Sequence, residues 1–248
     1  MKKNDETPRI PLRTQALFDL THTRAKPWLE HTEFPWEILS EIPVIIREIG
    51  DTLDPMLYDH PADGIWIARS ATVAPTACID APAIIGEHTE VRHGAFIRGA
   101  VLVGEDCVVG NSTELKNCIL FDGVQVPHYN YVGDSVLGYK SHMGAGAITS
   151  NVKSDRSPVT VKPARGFEGD FDPISTGRKK LGAMLGDFAE VGCNSVLNPG
   201  TVIGAHTNIY PLSSVRGAVP AYAIFKSGKG SEIVDKESCE SSPNTNYQ

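Results

Sequence analysis

The chain has 248 residues, enough for one large domain or for one domain with a small appendage. Its formal net charge of -7 argues against a protein that reads nucleic acid, because contact with a phosphate backbone normally requires a basic face. The sequence has no long apolar run and no apolar segment after its first lysines, and its five cysteines lack metal-ligand spacing, so we expect a cytoplasmic protein that is neither secreted nor membrane-spanning.

The first part of the chain divides into a polar start and a helical segment. Residues 1–12 contain few apolar side chains and are expected to be disordered. Within residues 13–62, the stretch "PWEILSEIPVIIREIG" spaces its apolar residues by three and four positions, which predicts an amphipathic helix, and Pro43 predicts a break or kink inside it. We expect residues 13–62 to form a small N-terminal helical cap.

From Ile67 onward, a large apolar residue recurs at every sixth position. This period is neither that of a helix nor that of a simple alternating strand. A small or compact residue follows four positions after most of the large ones, so a second register supports the first. The large apolar positions are Ile67, Val73, Ile79, Ile85, Val91, Ile97, Val103, Val109 and Leu115, and then Leu185, Val191, Leu197, Ile203, Ile209 and Val215.

Such a six-residue repeat predicts a short strand followed by a tight corner, and three repeats close a triangular coil of about eighteen residues. The predicted fold class is an all-β solenoid, a parallel β-helix over residues 63–226 with an insertion loop at about 152–182 and a flexible tail at 227–248. Because the open ends of a solenoid must be protected from edge pairing, the helical segment 13–62 is expected to cover the first coil. A β-sandwich of short strands is the alternative, but it would show period-two alternation.

Two cations are predicted to stack on one wall of the solenoid. Arg98 and Lys116 are one coil apart, and each follows an inward apolar residue, so both point outward. Two like charges about one strand spacing apart favour an anion between them, such as a phosphate group. The alternative is a solvated wall on which Asp80, one coil lower, neutralises the column.

The six-residue period slips between Leu115 and Leu137, and His128 and Tyr131 fall inside this slip. Departures from a local rule tend to mark functional sites. A histidine with a near-neutral pKa can take a proton from an amine that attacks a thioester, which is the base that acyl transfer requires.

The stretch "ELKNCILFDGVQVPHYNYVGDSVLGYKSHMGAGAITSN", residues 114–151, resembles the hexapeptide-repeat acyltransferases. Within them it is similar to the acetyltransferase half of the bifunctional uridyltransferase/acetyltransferases that make UDP-N-acetylglucosamine. The resemblance implies that the coils wind in the left-handed sense, against the general crossover rule. We find no counterpart of the nucleotidyltransferase half, so that activity is not expected.

The resemblance also implies roles for individual residues. His128 matches the catalytic base, and the backbone N–H of Ala145 would face the acyl carbonyl and stabilise its developing negative charge. Arg98 and Lys116 match sugar-phosphate contacts. Apart from the resemblance, Glu114 lies close enough along the wall to be a candidate to orient the imidazole of His128, and the alternative is an exposed carboxylate without a role. Contacts to the acceptor or the acyl donor are further implied for Tyr131, for His142 (an asparagine in the family), for Asn151 and for Cys193 (a serine in the family).

These features predict an acyltransferase that moves an acetyl group from acetyl-CoA to a phosphorylated amino sugar or a related precursor, without a metal. The insertion could lie over the active site of a neighbouring subunit, with Lys179 and Lys180 near the acyl donor, or it could be a surface hairpin. We expect a homotrimer whose partners are these small molecules and neither nucleic acid nor membrane. Two alternatives remain: a non-catalytic scaffold that binds sugar phosphates or nucleotides, and a carbonic-anhydrase-like zinc enzyme. The zinc enzyme would hold its metal with three histidines across a subunit interface, drawn from His88, His93, His128 and His142.

Overall fold

Short strands that follow one another from Tyr58 onward wind into about nine turns of a parallel β-solenoid in the computed structural model of the chain. The structure describes residues 12–165, 170–227 and 232–236. The fold class predicted from the sequence, a left-handed parallel β-helix of hexapeptide repeats with a small N-terminal helical segment, is confirmed.

Parallel pairing sorts the strands onto three faces of the solenoid. Face 1 contains Cys78–Asp80, Phe96–Arg98, Ile148–Thr149, Val196–Leu197 and Ser214–Val215. Face 2 contains Ile65–Ala68, Ala83–Ile85, Val101–Val103, Ala183–Leu185, Thr201–Ile203 and Ala218–Val219. Face 3 contains Thr72–Val73, Glu90–Val91, Val108–Asn111, Gln125–His128, His142–Met143, Glu190–Val191, Asn208–Ile209 and Ala223–Lys226. Two longer strands, Glu114–Leu120 and Tyr131–Leu137, run from face 1 onto face 2.

The six-residue period corresponds to the inward positions of these strands. In regular coils, partners are eighteen residues apart, as in the pairing of Ile97 with Leu115 and of Leu185 with Ile203. All four side chains are fully buried, and compact residues such as Thr113 occupy the inward corners between them. The stacked apolar side chains form one continuous core along the axis of the solenoid.

The helical segment lies along face 2 rather than over the first coil. Helix Ile42–Gly50 packs against the strands of face 2, with Ile45 and Ile46 buried on the side that it turns toward the sheet. Face 2 carries apolar residues on its outer surface as well, for example Leu102, and the helices remove them from water. The other helical elements are Thr14–Leu17, Leu20–His22, Lys26–Leu29 and Pro35–Ser40.

Pro43 marks a real boundary in this segment. A 3-10 helix, Pro35–Ser40, precedes it, and the α-helix Ile42–Gly50 begins with Pro43 in its first turn. Proline is tolerated there because the first N–H groups of a helix have no partner within the helix. The break predicted from the sequence is therefore confirmed.

Antiparallel strands, and not the helices, pair with the open edges of the solenoid. Tyr58–Ala62 pairs with the first strand of face 2, and Glu232–Asp235 pairs with Ala223–Lys226 at the other end. The second of these strands falls inside the segment expected to be a flexible tail, where Ile233 and Val234 supply apolar side chains to a strand. Apart from the strand and its immediate neighbours, the tail lies outside the described residues, and so does the predicted disordered start except for the buried Leu12.

The slip in the repeat arises where the two long strands turn from face 1 to face 2. Their inward residues are five positions apart rather than six, as in Leu115 and Leu120, so successive coils there are seventeen residues apart. The insertion leaves the solenoid from the same corner one coil later and contains the antiparallel pair Thr160–Val161 and Ile174–Ser175. In the part of the chain that the structure describes, no helix combines the length and the apolar character needed to span a membrane.

Candidate functional site

His128, Ala145 and Cys193 lie above one another at the corner between face 3 and face 1. Gln125 pairs with His142, which brings Ala145 into register with His128 one coil below. Backbone hydrogen bonds continue this column: Gly146 N–H donates to the His128 carbonyl at 3.0 Å, and the Asn194 N–H donates to the Ala145 carbonyl at 2.8 Å. The structure therefore brings three of the predicted site residues to one edge.

The imidazole of His128 is exposed at this corner, and it makes no hydrogen bond, ion pair or ring contact with the other described residues. The backbone N–H of His128 donates to the side chain of Asn130 at 3.0 Å, and this fixes the main chain below the ring. The amide of Asn130 in turn donates to the carbonyl groups of Gly144 and Ala147 in the next coil. A buried asparagine thus ties the coil of His128 to the coil of Ala145, while the ring stays free to meet a substrate.

The N–H of Ala145 has no acceptor among residues 12–165, 170–227 and 232–236, whereas the N–H groups of its neighbours Gly144 and Gly146 donate to other coils. An unpaired N–H in a rigid corner is suited to receive a developing oxyanion. The glycines of this corner allow neighbouring coils to approach one another closely. A Cβ on Gly144 would lie 2.8 Å from the backbone N of Cys193, and Gly146 has the positive φ of 72° that this corner requires.

Face 1 carries the predicted cation wall, but Arg98 is paired with a carboxylate. The register of Ile97 with Leu115 places Arg98 beside Lys116, as expected. However, Arg98 Nη1 lies 2.6 Å from Glu114 Oε1, and this hydrogen bond raises the pKa of Arg98. Asp80 is the register partner of Arg98 in the coil below. These two cations and two carboxylates sum to zero. The alternative from the sequence placed Asp80 beside the cations, and the structure adds Glu114 as a second carboxylate.

Glu114 contacts Arg98 rather than the imidazole of His128 for which it was a candidate partner. Glu114 lies in the strand part on face 1, whereas His128 is at the corner that precedes the next strand. Lys116, in contrast, is half-buried and makes no ion pair with the described residues. It is the cation of this wall that a ligand could reach without displacing a carboxylate.

The side chains of Tyr131 and Asn151 contact each other where face 1 approaches the corner with face 2. Asn151 Nδ2 lies 3.3 Å from Tyr131 Oη and 2.5 Å from Asp134 Oδ2. Burial raises the pKa of Tyr131, and the nearby carboxylates of Asp134 and Glu114 add to the shift. Tyr131 is the register partner of Glu114, so this pair lies next to the cation wall.

His142 is on face 3, away from the cation wall of its own chain. Its Nδ1 lies 2.8 Å from Glu190 Oε2, which is its register partner in the next coil. Gln125 and Lys140 line the same open cleft of about 360 Å³. The structure therefore does not bring His142 together with Arg98 and Lys116 inside one subunit.

The remaining predicted donor contacts are at the surface. Cys193 is an exposed free thiol at the top of the corner column. Lys179 and Lys180 are exposed at the point where the insertion returns, and Lys180 forms an antiparallel bridge with Val152. No group of three or more His, Cys, Asp or Glu side chains within the described residues is arranged to hold a metal ion, so the histidines of the zinc alternative are not clustered in this chain.

Sequence reasoning missed Asp134 and Asn117, which lie beside Asn151 at the corner between face 1 and face 2. Asn117 Nδ2 donates to Asp134 Oδ1 at 2.8 Å, and the Asp134 side chain is buried. The signal was present in the sequence, because Asn117, Asp134 and Asn151 are each seventeen residues apart. It could be noticed only once the coil length in this region was known to be seventeen.

A protein-family model described as "GMPPB C-terminal domain" matches residues 79–164. The bifunctional sugar-1-phosphate nucleotidylyltransferase/acetyltransferase of Sulfurisphaera tokodaii is 35% identical over 132 residues, which is 53% of this chain and 31% of that protein. The uncharacterized acetyltransferase YaiX of an Escherichia coli strain is 27% identical over 174 residues, 62% of this chain and 73% of that protein.

Among solved structures, a hexapeptide transferase family protein from Anaplasma phagocytophilum is 16% identical, covers 69% of this chain and 79% of its own, and has a TM-score of 0.36. The chain spans between 26% and 41% of the length of the first bifunctional relatives that it matches. The resemblance predicted from the sequence, to hexapeptide-repeat acyltransferases and within them to the acetyltransferase half of bifunctional sugar-1-phosphate enzymes, is thereby confirmed.

Proposed function

We propose that this chain is an acetyltransferase that transfers the acetyl group of acetyl-CoA to the amine of a phosphorylated amino sugar or of a related sugar nucleotide. The observation that carries the proposal is the corner column, in which an unpartnered imidazole, His128, lies one coil below the unpaired N–H of Ala145. Acyl transfer needs a base within reach of the attacking nitrogen and a donor within reach of the carbonyl oxygen, so both must lie beside the reacting carbon. The names of the relatives agree with this chemistry, because both contain an acetyltransferase and one also names a sugar 1-phosphate.

The column suggests how the chain would perform the reaction. His128 takes the proton of the amine while the nitrogen attacks the thioester carbonyl carbon. The N–H of Ala145 donates to the carbonyl oxygen as that oxygen becomes negative. The amide forms, the carbon–sulfur bond breaks, and the proton passes from His128 to the departing thiolate, so no further acid is required.

Substrate positions follow from the surroundings of the column. Lys116, with Arg98 beside it, would hold the phosphate of the acceptor, and the anion would compete with Glu114 for the guanidinium. Cys193 at the top of the column and the exposed pair Lys179 and Lys180 are proposed to lie along the acyl donor, where lysines suit its phosphate groups.

A homotrimer is part of the proposal. His142 is on face 3, and it can contact an acceptor bound at face 1 only if these faces belong to different subunits. A single outer wall is also shallow, and closed cyclic symmetry would supply equivalent sites between neighbouring faces. Light scattering that shows a monomer at micromolar concentration would contradict this part.

The test is a calorimetric titration of glucosamine 1-phosphate into the wild type, Arg98→Ala and Lys116→Ala, together with an assay of CoA release. Charge-assisted contacts contribute about 1.5 to 3 kcal/mol each, so each substitution should weaken acceptor binding about tenfold or more. Affinity for acetyl-CoA should stay unchanged in both variants. Equal acceptor binding by all three proteins would show that the wall is merely solvated.

A non-catalytic sugar-phosphate scaffold is the second candidate, and one observation favours it. No carboxylate among the described residues orients His128, because Glu114 is bound to Arg98. A scaffold would bind the sugar phosphate in the titration and would release no CoA in the assay.

A further inference from the structure

Three polar side chains form a ladder at the corner between face 1 and face 2. Asn117, Asp134 and Asn151 occupy this corner in successive coils, and Asp134 has the positive φ of 50° that short polar side chains tolerate. The Asp134 side chain is only 6% exposed. A carboxylate so buried requires hydrogen-bond donors, and it receives one amide N–H on each oxygen, from Asn117 at 2.8 Å and from Asn151 at 2.5 Å.

The ladder determines which way the Asn151 amide points. An ionised carboxylate can only accept hydrogen bonds, so the nitrogen and not the oxygen of Asn151 must face Asp134. The second hydrogen on the same nitrogen is directed toward Tyr131 Oη at 3.3 Å. Both donors of Asn151 are therefore committed, and its Oδ1 has no donor in the described part of the chain.

The hydrogen bond from Asn151 also determines the direction in which the Tyr131 hydroxyl can donate. Its oxygen accepts from Asn151, so its own hydrogen is available to a neighbour, and no acceptor for that hydrogen lies among the residues described. Burial and the carboxylates of Asp134 and Glu114 raise the pKa of Tyr131, which keeps the phenol protonated at neutral pH. The surface next to the cation wall thus offers one donor, from Tyr131, and one acceptor, from Asn151.

The returning end of the insertion is hydrogen-bonded to the backbone of this ladder. Where it returns to the solenoid, the Gly182 N–H donates to the carbonyl of Asp134 at 2.8 Å, and the Leu181 N–H donates to the carbonyl of Asn151 at 3.0 Å. Arg178 of the insertion donates to the helical segment, to the Glu37 carbonyl at 3.0 Å. Burial lowers the pKa of Arg178, and the nearby Asp134 carboxylate opposes that shift. The insertion thus fixes the backbone of Asp134 and Asn151, and the buried Asp134 carboxylate takes its hydrogen bonds from protein groups.

We propose that Asp134 is a positioning residue for a ligand subsite made by Tyr131 and Asn151, and that this subsite takes a hydroxyl or amino group. Such a group can accept the hydrogen of Tyr131 and donate its own to Asn151 Oδ1 at the same time. A phosphate or carboxylate cannot donate to Asn151, and it would be repelled by Asp134 and Glu114. The subsite would therefore bind a hydroxyl or amino group of the acceptor, while the phosphate of the acceptor lies beside Lys116. Calling the ligand the acceptor rests on the proposed function.

The test compares two probes, inorganic phosphate and glucosamine 1-phosphate, by calorimetric titration. Asp134→Ala removes both acceptors of the ladder and lets the Asn151 amide turn, so sugar-phosphate binding should weaken and the preference for the sugar phosphate over phosphate should fall about tenfold, with phosphate binding no weaker than in the wild type. Tyr131→Phe keeps the hydrogen bonds of Asp134 to Asn117 and Asn151, and it removes the phenol hydroxyl that supplies the outward donor and accepts from Asn151, so it should lower the same preference. Asn117→Ala is the matched control, because it removes one ladder bond on the side away from Tyr131 and should leave the preference intact.

A second readout follows the Tyr131 phenol by ultraviolet difference titration against the Tyr131→Phe protein. In Asp134→Ala its pKa should fall, because a neighbouring negative charge is lost, and in Asn117→Ala it should not move. An unchanged preference in both Asp134→Ala and Tyr131→Phe overturns the subsite. A wild type that binds neither probe overturns the proposed function and the ligand assignment with it, whereas an unmoved Tyr131 titration in Asp134→Ala overturns the positioning role by itself.

Discussion

Glu114→Gln should strengthen the binding of phosphate to face 1. In the free protein, the Arg98 guanidinium is bound to Glu114 at 2.6 Å, so an incoming anion meets a cation that is already neutralised. Glutamine has the same shape, and it removes the charge without opening a cavity. Arg98 and Lys116 would then face an anion with only Asp80 as the opposing carboxylate.

The size of the effect follows from the distance between the charges. An anion on the far side of the guanidinium would lie on the order of 6 Å from the Glu114 carboxylate, where the repulsion is about 0.7 kcal/mol in bulk water and about 3 kcal/mol at an effective dielectric constant of about 20. The two side chains are 49% and 33% exposed, which favours the lower end of this range. We expect phosphate to bind about fivefold more tightly, with a smaller gain at high salt.

The assay is a calorimetric titration with inorganic phosphate at low and high ionic strength. The matched control is Glu90→Gln, because Glu90 and Arg92 form an ion pair of similar length, 2.9 Å, and similar exposure on face 3. The control should not change phosphate affinity. Unchanged or weaker binding in Glu114→Gln would refute the reasoning, since it would show that Arg98 takes no part in an anion site or that Glu114 is needed to hold it.

Two further predictions concern catalysis and stability. His128→Ala should lower CoA release with glucosamine 1-phosphate by about two to four decades and leave the melting temperature nearly unchanged, because the exposed imidazole makes no hydrogen bond, ion pair or ring contact with the described residues. Undiminished activity would mean that another base is used. Burial raises the pKa of Asp187 to about 6, so its contribution to stability is fully present below about pH 4 and is lost as the pH rises through about 6. Between pH 4 and pH 7, urea denaturation should show the wild type losing up to about 3 kcal/mol relative to Asp187→Asn, and a constant difference between the two proteins would contradict the assignment.

The repeat was readable from sequence because a solenoid makes the same local demand in every coil. An inward position must be large and apolar and the next corner compact. The positions of Ile97, Leu115 and Thr113 can therefore be predicted from the local sequence without knowing their distant neighbours. The column of His128 and Ala145 was also predictable, because it follows from the repeat and from the resemblance of the surrounding motif. Pro43 marked its boundary for a similarly local reason.

Other features depended on contacts between residues far apart in the chain. The helical segment was expected at the first coil, yet it lies along face 2, because the outer side chains of that face, such as Leu102 and Met184, are apolar and need a cover. The inward six-residue pattern does not show this, since it records which residues enter the core and not what lies outside each wall.

The sequence by itself thus determined the solenoid, its break and the residue types at the candidate site. Only the tertiary structure decided their partners. Arg98 is bound to Glu114, His142 is bound to Glu190 on face 3 and not on the face of the cation wall, and Asp134 accepts hydrogen bonds from two asparagines. The physical reason is that periodicity assigns each residue to a wall but not to a partner. A hydrogen bond forms according to which coil, corner or insertion comes within about 3 Å, and here a five-residue step at one corner changed that alignment.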